Sequence, residues 1–208
     1  MNMQIRNANL DDIAQIVDVH INSFEGFFLT TLGRRFLTLL YKGFLETESG
    51  ILRVSCIEQR ICGFSAGSTL PDTFFSELRQ RHWFKFFIAA LPSLISNPIV
   101  VFKKLFHAIF YKGDGIETLP NAALLSSLAV DPNYSGKAVG SALLADFEEQ
   151  VSHNGGLEYV YLTTDKNSNE RVIGFYTKAD YFQESQFSQS GKRIMLRFVK
   201  KISNKEVV

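Results

Sequence analysis

Residues 130–144 read VDPNYSGKAVGSALL. They follow the apolar run Ala122 to Val130, which reads as a strand buried at the centre of a sheet. Asp131-Pro132 ends that run, and Leu143, Leu144, Phe147 and Val151 then recur at helical spacing. The stretch is therefore strand, loop, helix. Gly136, Ala138, Gly140, Ser141 and Ala142 are all small, so a ligand can come close to the backbone there. The N–H groups from Lys137 to Ser141 fall in the first helical turns, where few have an internal partner. With the helix dipole behind them, such groups suit phosphate oxygens. The same residues also suit a simple cap or a tight packing contact. Two familiar phosphate loops are excluded. Gly136-Lys137 is followed by Ala138, with no earlier glycine at P-loop distance, and the G-x-G-x-x-G of dinucleotide sites is missing.

Working outward, Met3 to Arg6 is a short candidate strand. Asn9 can cap a helix whose first turn holds Asp11 and Asp12 and whose apolar face is Ile13, Ile16, Val17, His20, Ile21 and Phe24. A second helix is expected through Leu32, Phe36, Leu39, Leu40 and Phe44. FEGFFL between the two is read either as core or as an apolar pocket wall with Glu25 at its edge. Ile51 to Ile57 and Arg60 to Ser68, parted by Glu58-Gln59, read as a hairpin. Later strands are expected at Tyr159 to Thr163 and Arg193 to Val199, with a helix from Asn169 to Lys178 between them. This order predicts an α/β (α+β) sandwich on one mixed sheet, a single domain over residues 1–208 with a helical insertion around 71–118.

The insertion is chemically distinct. From Leu78 to Gly113 there is no acidic residue, against Arg79, Arg81, Lys85, Lys103, Lys104 and Lys112; the rest of the chain is left with a net charge of about −5. Seven aromatic residues from Trp83 to Phe110 share the segment. Asn97-Pro98 is a helix start and Gly113 a stop, with Ile99, Phe102, Phe106, Ile109 and Phe110 on one face. Three uses stay open for this cationic helix pair: aromatics packed on the core, a lid over an anionic substrate, or a membrane-surface contact through 79–112.

A formal net charge of +1 removes the electrostatic case for nucleic acid. Cys56 and Cys62 lie in strand-like surroundings and read as buried thiols of a reducing compartment, and no His or Cys spacing matches a metal site. The N-terminal residues lack the order of a signal peptide, and no apolar run reaches spanning length. A cytoplasmic location is expected, and a homodimer is compatible with the composition.

The loop resembles the acetyl-CoA loop of the GNAT acetyltransferase superfamily, Q/R-x-x-G-x-G/A. Ser135 stands in the Q/R place, Ala138 in that of the first glycine and Gly140 in that of the last. Ala138 is a mild change there if its φ is helical. Downstream, Asn169 to Lys178 (NERVIGFYTK) is similar to the family's N-x-x-A-x-x-x-Y-x-K helix, with Val172 in place of alanine. Both motifs occur in the right order, and the resemblance spans most of the chain outside residues 70 to 120.

The resemblance implies an acyltransferase that moves an acetyl group from acetyl-CoA to a primary amine, without a metal. It implies that the Leu128, Ala129 and Val130 backbone lies along the pantetheine arm like an added strand. It likewise implies that Ser135, Gly136, Lys137, Ala138, Val139, Gly140 and Ser141 surround the pyrophosphate. Asn169 would touch the cofactor arm, and the Tyr176 hydroxyl would protonate the departing sulfur. No carboxylate lies in the strand 122–130, so a water chain or no dedicated base is the favoured reading, with Glu25 and Asp131 as the candidate side chains and His20 behind them. The basic, aromatic insertion suits a small acceptor bearing phosphates, such as a nucleotide-linked amino sugar. A peptide or protein amine, or a non-catalytic CoA-binding module, are the alternatives.

Overall fold

A computed structural model of the chain describes residues 3–96, 119–189 and 193–202. Seven strands form one sheet: β1 (Met3–Asn7), β2 (Gly50–Ile57), β3 (Arg60–Ser68), β4 (Ala122–Val130), β5 (Tyr159–Asp165), β6 (Phe182–Gln189) and β7 (Arg193–Lys201). Their order is β1-β2-β3-β4-β5-β7-β6, antiparallel except where β4 meets β5. The expected mixed sheet is therefore present. β2 and β3 join through Glu58 and Gln59, both with left-handed φ (49° and 65°), the turn whose twist matches that of the flanking strands. β6 is an addition to the sequence reading. Its residues FQESQFSQ are mostly exposed, and an edge strand needs few apolar residues because only one of its edges is paired.

Helices cover both faces. On one face lie α1 (Ile13–Ser23), the short α2 (Phe28–Thr31), α3 (Arg34–Glu46) and α4 (Pro71–Ser96); on the other lie α5 (Val139–Ser152) and α6 (Glu170–Lys178). The first face packs Ile16 and Val17 of α1 and Leu37, Tyr41 and Phe44 of α3 on Val54, Phe64 and Ala66. The second packs Leu144, Phe147 and Val151 of α5 on Ala123, Leu125, Val160, Leu162 and Phe198. The start of α1 follows from its sequence: Asn9 and Asp12 cap one another, and Arg6 grips both Asp12 oxygens (2.6 and 2.8 Å), holding that carboxyl below its ordinary range.

Two devices fix α5, the helix that carries the opening loop. A Cβ at Gly63 or Gly67 would run into Ala129 or Leu124 backbone and into Val139, Leu143 or Phe147 of α5, so only glycine lets the helix lie this close to β3. In addition, the buried Arg53 of β2 donates from Nε and Nη2 to both carboxylate oxygens of Asp146 (2.7 Å each) and from Nη1 to Asn7.

The insertion departs from one of its readings. α4 is a single helix of 26 residues, buried through Phe74, Leu78, Ala89 and Ala90. Trp83, Phe84 and Phe87 are exposed, so these aromatics do not pack on the core, although Phe86 does pack on Phe36 (5.0 Å between ring centroids). The second expected helix, Asn97 to Gly113, lies outside the described residues.

Removing one partner of a buried ion pair leaves the other charge uncompensated. Asp146→Ala should therefore destabilise the fold by about 3 kcal/mol, read as a lower chemical-denaturation midpoint at unchanged slope. A loss under ~1 kcal/mol would mean that the bridge does not fix α5.

Candidate active site

The ladder between β4 and β5 is unfinished. It runs only from Ala122–Leu124 to Tyr159–Tyr161. Across the β3–β4 pair, Ala66 faces Ser127 while Gly67 faces Leu125, so Ser126 is the extra residue of a β-bulge. Beyond it β4 continues along β3 to Val130, while β5 continues along β7 to Asp165. The two central strands part, and a cleft opens between them. The Asp131 N–H donates to the Cys62 carbonyl (2.9 Å), so the two-residue alternation turns the Leu128 and Val130 peptide groups toward the opening. The Ser23 hydroxyl, at the end of α1, donates to the Val130 carbonyl (2.9 Å).

The opening loop lies at the mouth of this cleft. Asp131 accepts from the Asn133 N–H and side-chain amide (2.9 Å each), and a short 3₁₀ turn covers Pro132–Tyr134. Gly136 then has φ +78° and Ala138 φ +59°. The helical φ under which alanine would be a mild change at 138 is thus not the one found. Ala138 is left-handed, a conformation that costs a residue with a Cβ about 1–2 kcal/mol. Alternation of this kind turns successive N–H groups to one side. α5 begins at Val139 with no side-chain cap, and its first internal bond is from the Ala142 N–H to the Ala138 carbonyl (3.0 Å). The Val139, Gly140 and Ser141 N–H groups precede that bond. Gly140 faces Val130 and a Phe175 ring at ordinary contact distance.

α6 closes the other side. Arg171 donates to the Ser135 hydroxyl (2.7 Å), which joins the two sequence motifs directly. Sequence reading missed Arg171, because only the fold brings it beside the loop. Asn169 donates to Thr164 Oγ1 and the Asp165 carbonyl (2.8 Å each), which fixes the β5–α6 turn. Tyr176 is buried, its ring 5.6 Å from Tyr181 and 5.1 Å from Phe175, and burial pushes its hydroxyl pKa upward, so the proton is held at and above neutral pH. At the rim, Arg193 at the start of β7 is ion-paired with Asp165 at the end of β5 and lies over the Phe27 ring (5.9 Å). The α1–α2 turn, β5 and β7 therefore meet across the mouth.

The candidate bases differ in their surroundings. Glu25 is exposed in the α1–α2 turn, two residues from the Ser23 anchor. Asp131 is engaged in its own turn. His20 is 2% exposed, boxed by Phe24, Phe64 and Tyr41, and burial pushes its pKa down to about 4. Its Nδ1 is 2.6 Å from the Tyr41 hydroxyl, which also bonds the Ser127 side chain next to the bulge. His20 is thus a core histidine tied to β4. Tyr41 and Ser127 have no motif signal, since their pairing depends on an α3–β4 contact. A separate cleft of about 510 Å³ lies on the α1 side of the loop, lined by Gln15, Asp18, Arg60, Asp131, Tyr134 and Lys137.

Residues 107–181 match the Acetyltransferase (GNAT) family, a segment that contains both motifs. No curated protein sequence matches the chain. Among solved structures the chain is similar to a Desulfovibrio desulfuricans protein assigned to the GNAT acetyltransferases, at 13% identity and TM-score 0.66, covering 97% of this chain and 100% of that one. It is also similar to the Escherichia coli ribosomal-protein-S18-alanine N-acetyltransferase, at 12% identity and TM-score 0.60, with 100% and 99% covered. A third is the PaiA N-acetyltransferase of Thermoplasma acidophilum in complex with coenzyme A, at 13% and TM-score 0.57, with 95% and 98% covered.

Two measurements check this geometry. Ala138→Gly relieves the left-handed strain and should stabilise the protein by about 1 kcal/mol, a rise of roughly 2–4 °C in Tm. No rise would contradict the strained loop. The neutral, buried His20 has its folded pKa depressed below the unfolded 6.5. Its contribution to stability is complete above pH 6.5, falls as pH drops toward 4, and amounts to roughly 3 kcal/mol. Denaturation between pH 4 and 7 should show that slope, and His20→Gln should flatten it.

Proposed function

We infer that this chain is a member of the GNAT acetyltransferase superfamily and moves an acetyl group from acetyl-CoA to the primary amine of a small molecule. One observation carries the reading: the parted edge of β4 leads directly into the uncapped N–H groups of Val139, Gly140 and Ser141. A long thin donor ending in phosphates fits an extended edge that ends in an anion nest, and acetyl-CoA has that shape.

In this reading Leu128, Ala129 and Val130 form the edge against which the pantetheine arm lies, with the Leu128 and Val130 peptide groups turned toward it. The loop from Ser135 to Ser141 receives the pyrophosphate. Lys137 and Arg171 add positive charge, Arg171 replacing the long side chain that Ser135 lacks. Asn169 Oδ1 faces the arm. When bound, acetyl-CoA supplies the activated acetyl thioester. The chain excludes water with Phe175 and Tyr176, and Tyr176 holds a proton at its hydroxyl for the departing sulfur. Glu25 takes the proton released by the acceptor amine and passes it to solvent. The contact of Arg193 with Phe27 narrows the acceptor side, which favours a small amine over an extended peptide. Of the α4 aromatics, Phe74 and Phe86 pack on Phe44 and Phe36 while Trp83, Phe84 and Phe87 face solvent, so a nucleotide-linked acceptor is not the one favoured here.

The test is thiol release from acetyl-CoA across a panel of amines, amino sugars and short peptides. A small amine should raise turnover well above background. Gly140→Glu, whose Cβ has room, should abolish acetyl-CoA binding while the fold survives. Arg171→Ala should weaken binding about tenfold. Tyr176→Phe should lower kcat more than affinity. Acetyl-CoA binding without turnover on any amine would instead favour a binding module, and unchanged affinity in Gly140→Glu would refute the loop assignment.

A further inference from the structure

α4 carries a face that the rest of the described fold does not use. Trp83, Phe84, Phe87, Ile88 and Leu91 are 61, 57, 42, 47 and 40% exposed. Their spacing, i, i+1, i+4, i+5 and i+8, places all five on one stripe of the helix, opposite the buried Leu78 and Ala89. Water-facing apolar stripes of this kind are uncommon on monomeric proteins and mark contact surfaces.

The charges beside the stripe limit what can cover it. At about 100° per residue, Arg81 and Lys85 fall along one edge of the stripe and Arg79 along the other. Glu77, before the stripe begins, is the last carboxylate in the sequence until Asp114. A second copy packed in parallel through this face would bring Arg81 and Lys85 against their like, while the two carboxylates of the helix, Asp72 and Glu77, both precede the stripe. A nucleic acid would engage the cations but leave Ile88 and Leu91 in water. An anionic lipid surface answers both parts, since acyl chains take the aromatic and aliphatic residues while the headgroups meet Arg81 and Lys85. No helix among the described residues is long and apolar enough to cross a membrane, which fits a helix lying in the interface plane.

We propose that the outward face of α4, centred on Trp83, Phe84, Phe87, Ile88 and Leu91 and edged by Arg81 and Lys85, docks the protein on anionic membrane surfaces. The proposal does not depend on the acetyl-transfer reading.

Trp83 is the chain's single tryptophan, so its fluorescence reports on this face alone. The full chain is titrated with vesicles of phosphatidylglycerol and phosphatidylcholine, and with phosphatidylcholine alone. Anionic vesicles should shift Trp83 emission to the blue, protect it from acrylamide and sediment the protein, and higher salt should weaken the effect. Ile88→Glu and Phe87→Glu change exposed positions and should reduce partition at least tenfold at unchanged Tm. Lys85→Glu should remove the preference for anionic lipid. No shift and no sedimentation with anionic vesicles overturns the proposal, and so does equal partition into phosphatidylcholine. Trp83 emission that is already blue and unquenched without lipid also overturns it. In that case a dimer lost in Ile88→Glu would assign the face to a second copy, and a shielded monomer to the chain's own residues.

Discussion

The parting of β4 from β5 is the constraint on which the rest of the molecule depends. A parallel pair in the middle of a sheet normally completes its ladder, because unpaired peptide groups in a buried setting are costly. Here the ladder stops after Leu124, two residues before the bulge at Ser126, and each strand stays with its outer neighbour. The Leu128 and Val130 peptide groups then line a gap. Ser23 answers one of them, while the others suit a ligand that can pair as a strand does. The loop that follows β4 must begin where this edge ends, so the uncapped start of α5 directly continues the open edge.

Holding that surface open needs support from behind. Gly63 and Gly67 let α5 press on β3, and Arg53 clamps Asp146, so the start of α5 cannot drift from the end of β4. From the other face, the Ser127–Tyr41–His20 chain ties the residue beside the bulge to two helices. His20 Nε2 is buried without a hydrogen-bond partner, which costs about 1–3 kcal/mol. A polar anchor that specific in an apolar core acts on the position of β4, because an apolar pair of similar size would fill the space without fixing where Ser127 sits.

Much of this was legible in the sequence where the signal is local. The bounds of β4, the Glu58-Gln59 hairpin and the Asn9 cap each rest on neighbouring residues, and each is found as expected. What escaped depends on partners far along the chain. β6 is polar, and only its pairing with β7 makes it a strand. Arg171 reaches Ser135 across 36 positions, and Tyr41 reaches Ser127 across 86. The outward turn of the α4 aromatics follows from which side of the helix meets α2 and α3, and an apolar residue looks the same in sequence whichever way it points.

The substitutions in the loop then have a common physical sense. With Ser135 in the long-side-chain position, Arg171 reaches the loop from α6. A cation carried on a helix is held by two backbones rather than one, so the α6 terminus and the α5 terminus become one electrostatic unit. Ala138 works against that unit, because its left-handed φ is strained yet needed to aim the following N–H groups. A bound phosphate would favour the same backbone geometry and offset part of the strain. On the proposed reading, loop conformation and phosphate binding are therefore coupled at Ala138.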